Sequence, residues 1–136
     1  MAAPVVPLTR SIHLAGVPES VGTVREFVRD ALGEDHPSTD VALLLASELV
    51  ANSVRHSDSG RRPDGRVTVT ITVDDGAVHV DVADEGSAAN VPRVPGQPDE
   101  LRESGRGLWL VQELSAAWGW EDIPTGRLVW FRLPTW

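Results

Sequence analysis

Hydrophobic residues recur along this chain with two periods, and the switches between them mark the predicted elements. Spacing near 3.6 residues holds from Pro18-Glu19-Ser20 to about Leu32. There Val17, Val21, Val24, Phe27, Val28 and Leu32 form one stripe, and Gly33 is the expected stop. The same period returns over residues 39–56, after a turn at Glu34–Ser38 and with Ser38 or Thr39 as N-cap. At about 100° per residue, Val41, Leu44, Leu45 and Leu49 fall in one arc. Glu48 and Asn52 project from the middle of that arc one turn apart, and His56 follows at its edge.

Strict alternation then takes over. In Arg66–Val73, Val67, Val69, Ile71 and Val73 share one face, with Thr68, Thr70 and Thr72 on the other. Asp74-Asp75-Gly76 predicts a hairpin turn, and Ala77–Ala83 alternates again through Val78, Val80 and Val82. Val5–Leu14 reads as a strand interrupted by Pro7, which predicts a sheet edge. Residues 57–65 (SDSGRRPDG) read as an exposed polar loop. Asp84–Ser104 shows no period, and a loop this long inside a small domain predicts a lid or binding segment. Gly105-Arg106-Gly107 then leads into a helix with Leu108, Val111, Leu114 and Ala117 or Trp118 on one face. Gly119–Glu121 and Leu128–Leu133 predict a closing strand pair turned by Pro124-Thr125-Gly126. This order predicts an α+β fold, a two-layer sandwich with helices on one face of a mostly antiparallel mixed sheet.

Composition narrows the function. At 136 residues, 41% hydrophobic and without a repeat, the chain suits one domain spanning 1–136. A net charge of -8 argues against nucleic acid or an anionic membrane as partner. The absence of cysteine excludes disulfides, thiolate metal sites and cysteine nucleophiles. All 12 basic residues are arginine, so neither a P-loop lysine nor a Schiff-base lysine is available. MAAPVVPLTRS has no basic region followed by a long apolar run, and no stretch is long enough to span a bilayer. The expected location is the cytoplasm.

The candidate chemistry begins with the polar pair on the second helix. An unpaired buried carboxylate is costly, so Glu48 and Asn52 need internal partners or a polar ligand. Asp84-Glu85-Gly86 stands where a strand gives way to the long loop, and Gly86 allows a sharp turn that presents the Asp84 carboxylate. Gly105-Arg106-Gly107 at a helix start permits close approach to backbone N–H groups and the positive end of the helix dipole, an anion site. In an acidic chain without lysine, a polyphosphate needs such donors, an arginine and a metal. Glu48 and Asn52 offer the hard oxygen atoms that suit Mg²⁺.

These three motifs, SELVANSVRHS, DVADEGS and GRGLWLV, occur in the order found in the GHKL (Bergerat-fold) ATPase and kinase superfamily, which the chain resembles from about residue 10 to residue 133. Its short length is most similar to the anti-sigma-factor serine kinases of the RsbW/SpoIIAB type, as they occur in actinobacteria. The resemblance implies ATP and Mg²⁺ as ligands. It makes Glu48 the general base, Asn52 the Mg²⁺ ligand, and Asp84 with Gly86 the contact to the adenine amine. Gly105, Arg106, Gly107 and Leu108 would hold the phosphates beneath a lid at Ala88–Ser104. It also implies a small anti-anti-sigma (STAS-domain) partner as phosphoacceptor, a sigma factor as the regulated protein, and a homodimer whose contacts involve the first strand and first helix.

Three positions depart from the family pattern. Ala88 stands where a second glycine is usual, Trp109 replaces a later glycine and is expected to pack into the core, and Leu128 stands where a threonine near the nucleotide is expected. The resulting alternative is a nucleotide-binding regulatory module with little or no phosphotransfer. A self-contained histidine kinase is not expected, because only His13 precedes the first helix and no dimerising hairpin carries it.

Overall fold

Two-residue alternation gives each strand one valine-rich face, and that face must be covered by something apolar. The computed structural model, which describes residues 8–75, 77–86 and 106–134 apart from the Arg106 side chain, shows three helices doing the covering. In chain order the elements are β1 (Leu8–Ala15), α1 (Ser20–Leu32), α2 (Thr39–His56), β2 (Arg66–Asp74), β3 (Ala77–Asp84), α3 (Arg106–Leu114), β4 (Ala117–Ile123) and β5 (Gly126–Leu133). The strands form one sheet in the order β1-β2-β3-β5-β4, and all four pairings are antiparallel. This is an α+β fold with the helices on one face. The edge position expected for the first strand is observed, and Pro7 lies outside the described residues.

The core lies between the layers. Val67, Val69 and Ile71 of β2, Val78, Val80 and Val82 of β3, and Phe131 and Leu133 of β5 face Val24 and Val28 of α1, Leu45, Leu49 and Val50 of α2, and Val111 of α3. Each side chain fully buried here contributes about 1.5–3 kcal/mol of transfer free energy. On the opposite face, hydroxyls of β1 and β2 pair across the strands. Ser11 Oγ and Thr70 Oγ1 lie 2.8 Å apart, and His13 Nδ1 lies 2.9 Å from Thr68 Oγ1.

Both long helices start and stop at the expected residues, and Gly33 ends α1 at φ 84°. Three local expectations need correction. The third helix stops at Leu114, and Ala117 and Trp118 belong to β4. Leu110, not Trp109, packs against the core on that helix. The segment 57–65 is an exposed loop only at its tip. Ser57, Ser59 and Gly65 are buried, with Ser59 at 0% exposure.

That loop is a fastener. Ser57 Oγ donates to Ser53 O of α2 (2.6 Å) and accepts from Ser59 N (3.1 Å). Ser59 Oγ donates to Arg66 O at the start of β2 (2.7 Å) and accepts from Glu85 N just after β3 (2.9 Å). Asp58 N donates to Gly86 O (2.9 Å). The backbone approaches so closely that a Cβ on Gly65 would lie 1.8 Å from Ser59 O, and one on Gly16 would lie 2.0 Å from it.

Two glycine substitutions should therefore act in opposite directions in urea unfolding. Gly65→Ala forces backbone apart and should cost about 1–3 kcal/mol or more. Gly22→Ala, exposed in the first turn of α1 with nothing within 4 Å, should stabilise by about 0.5–1 kcal/mol. Equal effects of the two would refute the close approach at Ser59.

Candidate functional site

Asp84 is the last residue of β3, and the alternation that buries Val78, Val80 and Val82 turns its side chain to the same face. A carboxylate thus stands where the pattern calls for a valine. Two donors meet it. Ser53 Oγ of α2 donates to Oδ2 (2.7 Å), and Gly86 N donates to Oδ1 (2.7 Å) from a backbone at φ 68°. Burial pushes the Asp84 carboxyl above the ordinary aspartate range, against the pull of Ser53, Gly86 and Arg127, while Glu85 adds to the rise.

The residue opposite Asp84 on β5 is Arg127, while Leu128 pairs with Ala83 and belongs to the other sheet face, the side of Trp130 and Arg132. The expectation that Leu128 borders this site is therefore corrected: the neighbour is an arginine. Gly126, beside it, packs so tightly that a Cβ would lie 2.0 Å from Asp84 O.

The polar pair on α2 also sits differently from the expectation. The face of α2 turned to the core carries Ala42, Leu45, Ala46, Leu49, Val50 and Ser53. Leu44 is exposed, and Val41, Glu48 and Asn52 are half-buried along one flank of the helix. The first turn of α3 lies on that flank. A Cβ on Gly107 would lie 2.7 Å from Asn52 Nδ2 and 3.3 Å from Glu48 Cβ, so a larger residue there would push the Asn52 side chain aside. Asn52 Oδ1 accepts a long hydrogen bond from Arg55 Nη2 (3.4 Å). Leu108, next to Gly107, is buried in the core and anchors the helix start.

Glu48, Asn52 and Gly107 are thus in contact, and Ser53, adjacent to Asn52, is bonded to Asp84 with Gly86 beside it. Gly105, Ala88 and the segment Ala88–Ser104 lie outside the described residues; Arg106 opens α3 by its backbone. His56 closes α2 half-buried, and burial first, then Arg55 and Arg61, hold its imidazole below the ordinary histidine range. Among the described residues no group of three or more His, Cys, Asp or Glu could hold a metal ion. No helix there is long and apolar enough to cross a membrane.

Sequence reasoning missed Ser53 and Arg127. Both were within reach. Ser53 follows Leu45, Leu49 and Val50 onto the core face of α2, and stepping back by twos from Phe131 through Val129 leads to Arg127. Against known proteins, a family model described as a histidine kinase-like ATPase domain matches residues 14–133. Among curated proteins nothing matches.

The raised Asp84 carboxyl yields a stability prediction. Its proton is held more tightly in the folded than in the unfolded chain, so its contribution is fully present below the unfolded-state midpoint and is lost as pH rises through the folded-state midpoint. At neutral pH the ionised carboxylate weakens the ligand-free fold. Asp84→Asn, which imitates the neutral form, should therefore raise the melting temperature at pH 7. The gain should shrink as pH falls into the aspartate range. A variant less stable than wild type at pH 7 would contradict this.

Proposed function

Because this chain belongs to the histidine kinase-like ATPase domain family, for which ATP is the expected ligand, we propose that it is an ATP-dependent serine/threonine protein kinase of the anti-sigma-factor type. It phosphorylates a small anti-anti-sigma (STAS-domain) partner and thereby regulates a sigma factor. The observation that carries this reading is the contact of Gly107 with Glu48 and Asn52. It brings the start of a helix against the side chains of Glu48 and Asn52, a neighbourhood that transfer of a phosphoryl group to a hydroxyl can use.

The residues fit the ligands. Asp84, oriented by Ser53 and Gly86 N, keeps acceptor capacity on both oxygens and receives a hydrogen bond from the adenine amine. The first N–H groups of α3, with Arg106, receive the phosphates. Asn52 would supply one oxygen to Mg²⁺, an ion that takes much of its coordination from phosphates and water and so would need no carboxylate cluster. When bound, that ion neutralises phosphate charge. Glu48 accepts the proton of the partner's hydroxyl as its oxygen bonds the terminal phosphorus of ATP and ADP leaves. A groove of about 530 Å³ between α1 and α2, bordered by Arg25, Arg29 and Arg55, also reaches Glu48 and offers that hydroxyl a way in. The exposed edge of β1, together with α1, is the proposed contact surface of a homodimer.

Glu48→Gln separates the kinase from a module that only binds. It should hold Mg-ATP within a few-fold of wild type and lose about 10²–10⁴-fold in phosphate transfer, read by mass spectrometry on the partner. Asp84→Asn should weaken ADP and ATP in calorimetry, and EDTA should weaken both for wild type. Failure of the wild type to phosphorylate any partner it binds leaves the regulatory module as the reading.

A further inference from the structure

A chain with a net charge of -8 repels an acidic partner at long range, so a local excess of arginine decides where one can land. Such an excess lines the groove between α1 and α2. Arg25 and Arg29, one turn apart on α1, and Arg55 of α2 face it, against the two carboxylates Asp40 and Glu48. All three arginines are exposed. The ion pairs of arginine among the described residues use Arg61, Arg62 and Arg127, and none uses Arg25, Arg29 or Arg55. Of the carboxylates, Asp40 lies at one end of the groove, and Glu48 is half-buried beside Gly107.

The groove also has an apolar lining. Val21 and Leu43 contribute to it, and Leu44 is 39% exposed there, which is uncommon for a leucine on a packed helix. Its two walls are joined by the short connection at 33–38 and so are antiparallel neighbours. On α2 the lining runs from Asp40 to Arg55, about 22 Å at 1.5 Å per residue. An extended chain advances about 3.3 Å per residue, so a segment of about six residues lies along it. Glu48 stands about two turns from either end. Arg29 is close to the connection and therefore toward the Asp40 end, Arg25 is one turn nearer the middle, and Arg55 stands at the far end.

We propose that this groove docks an acidic, partly apolar segment of the phosphoacceptor protein, with carboxylates on both sides of the hydroxyl that meets Glu48. Arg25 and Arg29 receive the carboxylates on one side of that hydroxyl, and Arg55 receives those on the other. Apolar side chains between them cover Val21 and Leu44. A single exposed ion pair is weak, so recognition depends on the arginines acting together over the apolar contact. The position of the hydroxyl rests on the kinase reading given above, whereas the capture of an acidic segment does not.

The probe is a fluorescein-labelled peptide with a central serine flanked on both sides by glutamate and leucine. It is compared with peptides whose glutamates are replaced by glutamine or by lysine. In fluorescence anisotropy with the whole chain, the glutamate peptide should bind about tenfold more tightly than the glutamine peptide, and added salt should narrow the difference. Arg25→Glu combined with Arg29→Glu should weaken the glutamate peptide about tenfold, strengthen the lysine peptide and leave ADP affinity in calorimetry unchanged. Arg25→Gln combined with Arg29→Gln serves if the reversed pair does not fold. With Mg-ATP, the same substitutions should raise the KM for the glutamate peptide and keep kcat. Equal binding of the three peptides, or binding indifferent to Arg25 and Arg29, overturns the proposal. So does full displacement of the peptide by inorganic phosphate at equal ionic strength, or a dimer in light scattering that these substitutions dissociate. Selective capture of the glutamate peptide without any phosphate transfer supports the groove and overturns the kinase reading alone. Transfer to serine that ignores both arginines upholds the kinase reading and overturns the groove.

Discussion

A carboxylate on the apolar face of a sheet is the constraint around which this fold is arranged. Asp84 occupies a valine's place at the end of β3, and leaving it without partners would cost several kcal/mol. The helix above answers with Ser53, and the chain beyond the strand answers with Gly86 N. For Ser53 to reach, α2 must lie at one height and one rotation over the sheet. The same rotation sets Glu48 and Asn52 on the flank where α3 begins, and Gly107 lets α3 close against them. One polar residue thus ties the register of a strand to the facing of two helices.

Charge is distributed along the sheet in the same economical way. Asp84 and Arg127 take equivalent ends of neighbouring strands, and Trp120 and Asp122 on β4 hold the arginine from its far side. Across the sheet the hydroxyls of Ser11, Thr70 and Thr68 and the His13 ring satisfy one another on the uncovered face.

The elements were largely legible in the sequence because their periods are strong. Thr39–His56 has helix spacing throughout, and β2 alternates without a break. Motif residues such as Asp84 and Gly107 could be singled out because carboxylates at strand ends and glycines at helix starts are chemically conspicuous. What period alone does not carry is which arc of a helix meets the sheet. The arc with Leu44 at its border looked apolar enough, yet Ala42, Ala46 and Ser53 are buried while Leu44 is exposed. The buried stretch around Ser59 was illegible for a related reason. Its composition is that of a surface loop, and its burial comes from hydroxyls satisfying backbone groups on three other elements, a long-range arrangement with no local signature. Leu128 was expected near the site from the motif alone, and the pairing of β5 with β3 turns it to the other face.

The fastening of residues 57–65 has a mechanical meaning for whatever enters the site. Ser57 and Ser59 lock the end of α2, the start of β2 and the turn after β3 into one piece, so the side of the site that carries Asp84 cannot yield. A wall already ordered before a ligand arrives loses little further freedom on contact with it. Adjustment to the ligand, and the entropy it costs, then falls on the opposite side, and selectivity on the rigid side becomes a matter of shape rather than of induced fit.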